Sequence, residues 1–527
     1  MHALLPLLLL ATPTFAAERA PVPARATLAQ LEAAHDRCKA ATPNGDRCLD
    51  LQLALARALI PTDPDRAAKI ADRARLDLNW VFNAVSTRLR PLHDKVDAGT
   101  ITPAEQAVID RAGKEIAPLW LEMADVNEIE GDAGVRGGTA FYRASASRFL
   151  TAVSIRRNSG TTPAHARAQF RAAAKQIDSY IDSPGIAEAL PVARQALIDV
   201  TAAFGANDPA TARIVLSLAD VLTGMGQTAE AEPLYDRALA GLATQPPEVL
   251  LDARARKARF LAVLDRSEAA EQLHRAVVAD LLKTKADPDR IARAYIDLAP
   301  LVAPSEGLTL ASAAITLRQE QFGAQHVQTA RAKVAYARLL DQYRRPGESA
   351  QLWREAIPVL ERHLQLTHPE TATAYLDWGY TLLSLGDLPA AEATFATARK
   401  SLIQAFGKRH PLTGRAMMYE SVVMMRLGKG DWLGLMRAAV DIVRETRPAT
   451  HMERVQAELA YAGILLYAQG DAAGALAQLR IVTRAGLDRS AAYRDFGSRA
   501  QKELRDFGGI FALQVRAAWD TAAQQKR

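Results

Sequence analysis

The 527-residue chain holds two cysteines, Cys38 and Cys48, and only 6% aromatic residues. So few cysteines exclude a disulfide-built miniature scaffold, and the pair lacks both the short spacing and the partner ligands of a redox or zinc motif. After the first residues no stretch approaches the ~20 uninterrupted apolar residues that a membrane-spanning helix needs. β-Branched runs of period two are missing, which leaves no basis for a sheet. No Gly-x-Ser-x-Gly elbow, His-Glu-x-x-His helix, Walker-type loop or dinucleotide-type glycine cluster occurs, and the ten histidines are scattered. Carboxylates are plentiful, but on helix surfaces they are the ordinary partners of Lys and Arg. The charge excess, +6, is mild for this length. These absences point to a non-catalytic chain without metal or cofactor, with a helical-fold enzyme as the least favoured alternative.

What is present is a rhythm. Apolar residues make up 49% of the chain and are carried heavily by Ala and Leu, both good helix formers. His326-x-x-Thr329, His368-x-x-Thr371 and His410-x-x-Thr413 recur every 42 residues, and so do Gly386, Gly428 and Gly470. One clock therefore runs from about residue 290 to 485, and a period of this size means a solenoid. Between Thr371 and Ala398 the pattern reads as helix, Gly-bearing turn, helix. Gly379 and Ala391 are small where two antiparallel helices must approach, while Tyr375, Leu382 and Phe395 fill the space beside them. Shifted copies place Tyr336, Ala337, Leu340, Trp353 and Ala356, then Met424, Gly428 and Val440, then Gly463, Leu466, Ala475, Leu479 and Val482. An earlier copy, starting near Thr211, uses Val215, Leu218, Ala219, Leu222, Ala231, Tyr235 and Ala238. Copies over 249–323 are degenerate.

This pattern resembles the tetratricopeptide repeat. The longer step and the connector Phe406-Gly-Lys-Arg-His-Pro411 resemble the kinesin-light-chain variety, with partial versions at Phe322–His326 and Phe204–Pro209. Its glycine stops the long helix and its proline prevents continuation. Equal spacing puts His326, His368 and His410 on successive units, so they read as turn or capping residues instead of metal ligands. The stretch from Asp506 through Phe511 to Trp519 resembles the helix after the repeats in bacterial proteins that join them to a carboxy-terminal caspase-like CHAT domain. That likeness covers roughly 205–520, and no catalytic His or Cys follows. It implies an all-α fold: a right-handed α-solenoid of stacked antiparallel helix pairs.

The expected organisation is a secretory signal over 1–17, divergent helical hairpins capping the solenoid over 18–204, the repeat array over 205–485, and capping helices over 486–527. The signal rests on a short apolar core and the small-residue site Thr14-x-Ala16, although no Lys or Arg precedes the core. In an oxidising compartment Cys38 and Cys48, across Thr42-Pro-Asn-Gly-Asp46, read as a disulfide closing a helical hairpin, with two free thiols as the alternative. Candidate helices before the array are Leu28–Lys39, Leu49–Ala58, Pro64–Val85, Pro103–Ile129, Thr139–Arg157, Thr162–Ile181 and Pro191–Phe204. Asp63 and Thr102 mark starts, Ser183-Pro-Gly185 marks a stop, and Gly134–Gly138 is a candidate hinge if this region is a separate domain.

Arg143, Arg148, Arg156, Arg157, Arg167 and Arg171 form a basic cluster after an acidic stretch from Glu122 to Asp132. Pairing between the two, or a solvated face, is favoured over nucleic acid, since few aromatics interleave the arginines. What remains is a binding surface. First helices of such an array line its inner face, and counting from the packing positions puts Arg213, Asp220, Arg331, Arg338, Asp341, Asp377, Tyr380, Arg415, Tyr419, Tyr461 and Tyr467 there. Arg and Tyr suit hot spots, although Tyr at helical spacing also packs between repeats. The expectation is a periplasmic or secreted scaffold for a protein or peptide, such as a separately encoded CHAT-type or other envelope protein. A self-assembling homo-oligomer is the alternative.

Overall fold

Helix starts are marked in this chain by a polar residue followed by proline. Asp63, Thr162, Asp208 and Asp287 each precede a proline and accept a backbone N–H of the first turn, from Arg66, His165, Ala210 and Asp289 respectively. Proline's missing N–H is harmless there, because first-turn N–H groups have no helical partner. Thr102 and Glu105 cap reciprocally: the Thr102 N–H donates to Glu105 Oε2 at 2.9 Å and the Glu105 N–H to Thr102 Oγ1 at 3.3 Å. In the computed structural model, which describes residues 20, 22–23, 26–41, 48–137, 142–159, 162–181, 186–264, 266–491 and 498–525, such signals yield an all-α chain, without a strand among the described residues.

Two compact units form, up to Ala335 and from Tyr336 onward, so the expected 205–485 array is divided between them inside one helix. The first contains α1 (Leu28–Ala41), α2 (Leu49–Leu59), α3 (Pro64–Asp97), α4 (Pro103–Gly137), α5 (Tyr142–Ser159), α6 (Pro163–Asp178), α7 (Ile186–Phe204), α8 (Pro209–Gly224), α9 (Thr228–Gly241), α10 (Pro247–Val263), α11 (Ser267–Lys283), α12 (Pro288–Leu298), a 3-10 turn (Ala299–Leu301) and α13 (Pro304–Phe322). The helix α14 (Val327–Gln342) carries the boundary. The second unit continues with α15 (Pro346–Leu364), α16 (Pro369–Leu385), α17 (Leu388–Phe406), α18 (Pro411–Leu427), α19 (Trp432–Thr446), α20 (Met452–Tyr467), α21 (Ala472–Ala491) and α22 (Ser498–Gln525).

Three expectations before the array need correction. The helices α3 and α4 run past Val85 and Ile129 with Pro91 and Pro118 inside them, and α7 starts at Ile186, ahead of Pro191. The pairing of α3 with α4, closed at its far end by a Lys95–Glu105 ion pair, outweighs the one hydrogen bond each proline removes. The expected hinge is helical as far as Gly137, while Gly138, Ser183-Pro-Gly185 and the signal over 1–17 lie outside the described residues. Cys38 in α1 and Cys48 ahead of α2 are disulfide-bonded with their Cα atoms 5.9 Å apart.

The second unit buries apolar surface from hairpin to hairpin. Gly379 is required for close approach, since a Cβ there would sit 2.6 Å from the Phe395 ring. The cluster around Phe395 is completed by Ala416 and Val423 of the next hairpin. Met436 and Val440 are completed by Ala457 and Ile464, and Leu466 and Leu479 by Ile510 and Ala517. No pair could hide its apolar side alone. In the first unit Tyr235 and Ala219 occupy the places of Phe395 and Gly379 and are fully buried.

The connectors follow the same clock. Nδ1 of His368 and of His410 accepts the N–H of Glu370 and of Leu412, each at 3.2 Å, as the N-cap of α16 and α18. His326 accepts from Gln328 N–H at 3.2 Å ahead of α14. Phe322 stacks on His326 and Phe406 on His410. At the opposite ends, Gly386 and Gly428 close α16 and α18 in the left-handed conformation, and Gly470 follows α20 at φ 66°.

Candidate functional site

First helices of neighbouring hairpins touch: α6 with α8 and α8 with α10 in the first unit, α16 with α18 in the second. Among the described residues second helices have no comparable contacts, so within each unit the first helices form the inner layer. Polar residues of that layer face across the array.

In the second unit five of the expected residues come together. Arg338 Nε donates to Asp377 Oδ2 at 2.7 Å, and Arg415 reaches the other carboxylate oxygen of Asp377 at 3.9 Å. The rings of Tyr380 and Tyr419 lie 5.6 Å apart. Tyr419 also stacks on Phe395 at 5.5 Å, and burial pushes its phenol up, whereas Tyr380 keeps 43% of its surface exposed. Tyr467 is 65% exposed at the end of α20, while Tyr461 is half-buried against the core. Asp341 serves the hairpin interior: it accepts Trp353 Nε1–H at 3.2 Å and Thr381 Oγ1–H at 2.7 Å, and burial pushes its carboxyl up.

In the first unit Arg213 is half-buried on α8 and Arg331 on α14. Asp220 belongs to an internal network. It accepts the Tyr235 hydroxyl at 2.5 Å and pairs with Arg256 at 2.8 Å. Arg256 also binds Asp178 at 2.8 Å and Asp252 at 3.0 Å, tying α6, α8 and α10 together. Burial, with Asp178's like charge adding to it, pushes the Asp220 carboxyl up against the pull of Arg256.

Sequence reasoning missed this network. Asp178, Asp220 and Arg256 stand on successive first helices, but the step from Asp220 to Arg256 falls to 36 residues at the degenerate copies, so a 42-residue clock passes over it. His451 was missed for the same reason. It caps α20 by accepting Glu453 N–H at 3.3 Å and stands 41 residues after His410, one short of the period.

The basic cluster is largely spent on the acidic stretch. Arg148 pairs with Glu130, Arg156 with Asp125 and Glu128, and Arg171 with Glu128, at 2.6–3.0 Å. Arg157 and Arg167 pair with Asp199 and Asp208, and the Arg143 side chain lies outside the described residues. Burial alone would push the Glu128 carboxyl up, but Arg171, Lys175 and Arg156 outweigh it and hold it well below the carboxylate range. An open recess of about 600 Å³ between α17, α18 and α19 has an apolar floor of Ile403, Met417 and Ile442. Its arginines are engaged too, Arg399 by Glu420, Arg409 by Glu445 and Arg444 by Glu458. Among the described residues no three His, Cys, Asp or Glu side chains converge as a metal site, and no helix is long and apolar enough to cross a membrane.

Residues 215–250 match the family model described as Tetratricopeptide repeat. No curated protein matches the chain. Among solved structures, BtubC (BKLC) from P. vanneervenii is similar at 16% identity and a TM-score of 0.34, over 43% of this chain and 90% of its own. A Podosopora anserina putative kinesin light chain with nearly identical TPR-like repeats is similar at 16% identity and 0.34, over 39% and 98%. A Rap protein complexed with Competence and Sporulation Factor is similar at 12% identity and 0.43, over 67% and 99%. The stretch α8–α9 is thus a tetratricopeptide repeat within an all-α chain of stacked helical hairpins.

Proposed function

We propose that the protein is an exported, non-catalytic scaffold that holds a protein or peptide partner against its first-helix layer. The observation that carries this reading is the patch formed by Arg338, Asp377, Arg415, Tyr380 and Tyr419, in which a ladder of charges borders a tyrosine pair with one ring open to solvent. Rigid aromatic area beside guanidinium donors is the composition of binding hot spots. Tetratricopeptide repeats favour protein partners over small substrates, and the partner class that suits the expected signal is an envelope protein, a separately encoded CHAT-type protein among them. The Cys38–Cys48 bond fits the oxidising compartment that export implies.

A photo-crosslinking residue placed at Tyr380 in the mature protein, added to envelope extract, should trap a defined partner. The same residue at the exposed Arg484 on α21, a second helix, should trap none. Adding Arg338→Glu and Arg415→Glu, both of the same patch, should abolish trapping at Tyr380. Equal trapping at both positions, or indifference to the charge reversals, overturns the assignment of this face.

A further inference from the structure

The helix α1 is fastened to the first unit more by polar and covalent links than by burial. Its main packing partner is α2, and of its fourteen residues Leu31 alone is buried. The Cys38–Cys48 disulfide ties it to the start of α2, and Lys39 Nζ pairs with Asp77 of α3 at 2.6 Å. Glu32 pairs with Arg66 of α3 at the surface, where such a contact holds little. A lone helix of 14 residues is marginal in water, so α1 keeps its shape only while docked.

What α1 covers is separable from the rest of the core. Leu31 closes a cluster with Leu55 and Leu59 of α2, Ala67 of α3 and Ala133 of α4. Leu49, Leu53 and Ala56, on another side of α2, pack in a second cluster with Leu78, Val81 and Met123, to which no described residue of α1 contributes. Asp77 is 3% exposed, and besides Lys39 it accepts Gln52 Nε2–H at 3.0 Å and pairs with Arg73 at 3.4 Å. Departure of Lys39 therefore does not strand a buried charge, the usual cost of breaking such a pair. α1 can leave while α2, α3 and α4 stay folded.

We infer that α1 is a redox-latched strap: with Cys38 and Cys48 as thiols it undocks and uncovers Leu55, Leu59 and Ala67, and oxidation fastens it again. The bond holds α1 beside its seat, and without it one buried leucine and one buried ion pair must offset the ordering of the whole helix. Cys38 is half-buried and Cys48 is 1% exposed, so a reductant meets Cys38 first. A thiolate of a dithiol reductant attacks Cys38 Sγ, the Cys38–Cys48 bond breaks, and Cys48 leaves as a thiolate that takes a proton. The reductant's second thiol then closes its own disulfide and releases Cys38, which is protonated in turn, so two electrons and two protons pass to the protein. The strap is shut in the oxidising compartment that export implies. This control is independent of which face holds a partner.

The test follows amide hydrogen exchange by mass spectrometry in the mature protein, oxidised or incubated with dithiothreitol, and in a variant carrying Cys38→Ser and Cys48→Ser. Amides of α1 should exchange about tenfold or more faster in the reduced protein and in the variant, while those of α2 keep their protection. Dithiothreitol should leave the variant unchanged. Fluorescence of the apolar dye anilinonaphthalene sulfonate should rise on reduction and fall back on reoxidation with oxidised glutathione. Lys39→Met should speed exchange of α1 in the oxidised protein and add nothing in the reduced one, where its pair with Asp77 is already broken. If α1 stays protected after reduction, Leu31 and Lys39 hold it unaided and the inference is overturned. Loss of protection through α2, α3 and α4 together with α1 also overturns it, because the bond is then a staple of the whole unit.

Discussion

A histidine that caps a helix through Nδ1 can do so only while neutral, because a protonated ring would turn a donor toward a backbone donor. Four connectors use this device, at His326, His368, His410 and His451. At His410 burial, then Arg447, push the imidazole below its ordinary 6.5, with Glu453 opposing. A folded value below the unfolded one means that the contribution is complete above pH 6.5 and is lost as pH falls from there through the folded value. The expected result is a melting temperature that drops below that pH, with a smaller drop in His410→Asn, since Asn caps equally well and does not titrate. Melting curves from pH 7.5 to 5 check this, and identical pH profiles for both proteins would rule it out. Three of these histidines could be read from spacing alone as capping residues, while His451, off the clock by one residue, could not.

The connectors also show where an element departs from its own pattern. Gly323 and Gly407 close α13 and α17 at φ 89° and 93° with ψ near 165°, a region open to glycine almost alone. The equivalent residue between them is Gln365, held at φ 65° and ψ 161°. Thr329 and Thr413 donate their hydroxyls to the carbonyls of Gly323 and Gly407 at 2.8 and 3.0 Å, whereas the buried Thr371 hydroxyl has no partner. Strain of this kind costs on the order of 1–3 kcal/mol, and glycine's extra freedom in the unfolded chain offsets part of any gain. Gln365→Gly should therefore stabilise the protein by about 1 kcal/mol, read by urea denaturation, through relief of the backbone and formation of the Thr371 bond. A destabilised variant would mean that the exposed Gln365 side chain contributes more than its backbone costs. Other elements were plain in advance: Gly379 against Phe395 follows from a small residue facing a large one at a fixed interval. The degenerate copies over 249–323 were not, because their hairpins keep the apolar pattern while the step between first-helix starts varies from 38 to 41 residues, which scattered Arg256 and its partners.

In the molecule taken whole, a hairpin array exposes whatever helix side no neighbouring hairpin covers. On α22, Ile510 and Ala517 are buried against α20 and α21. Its other side carries Phe511, Val515 and Trp519, spaced by four residues and therefore on one stripe, with Trp519 76% exposed. Large apolar side chains in line on an outer helix favour contact with a second copy, the alternative to a separate partner. This stripe predicts a dimer by sedimentation at tens of micromolar that Trp519→Asp returns to monomer with unchanged helicity. A monomeric parent protein would remove self-assembly from consideration. The residues expected to line a binding face divide in the same physical terms. Tyr380 and Tyr467 are open to solvent, whereas Asp220 and Asp341 hold neighbouring helices together by hydrogen bonds that no spacing rule announces.

Composition and period were enough to establish helices, their pairing and most of their starts and stops, because these depend on local backbone chemistry and on a stripe that repeats with the turn of the helix. Which carboxylate answers which arginine depended on the angle and offset between hairpins dozens of residues apart, and small changes in repeat length alter both. So Arg256 is balanced three times over while Arg293, on the next first helix, has no ion-pair partner among the described residues.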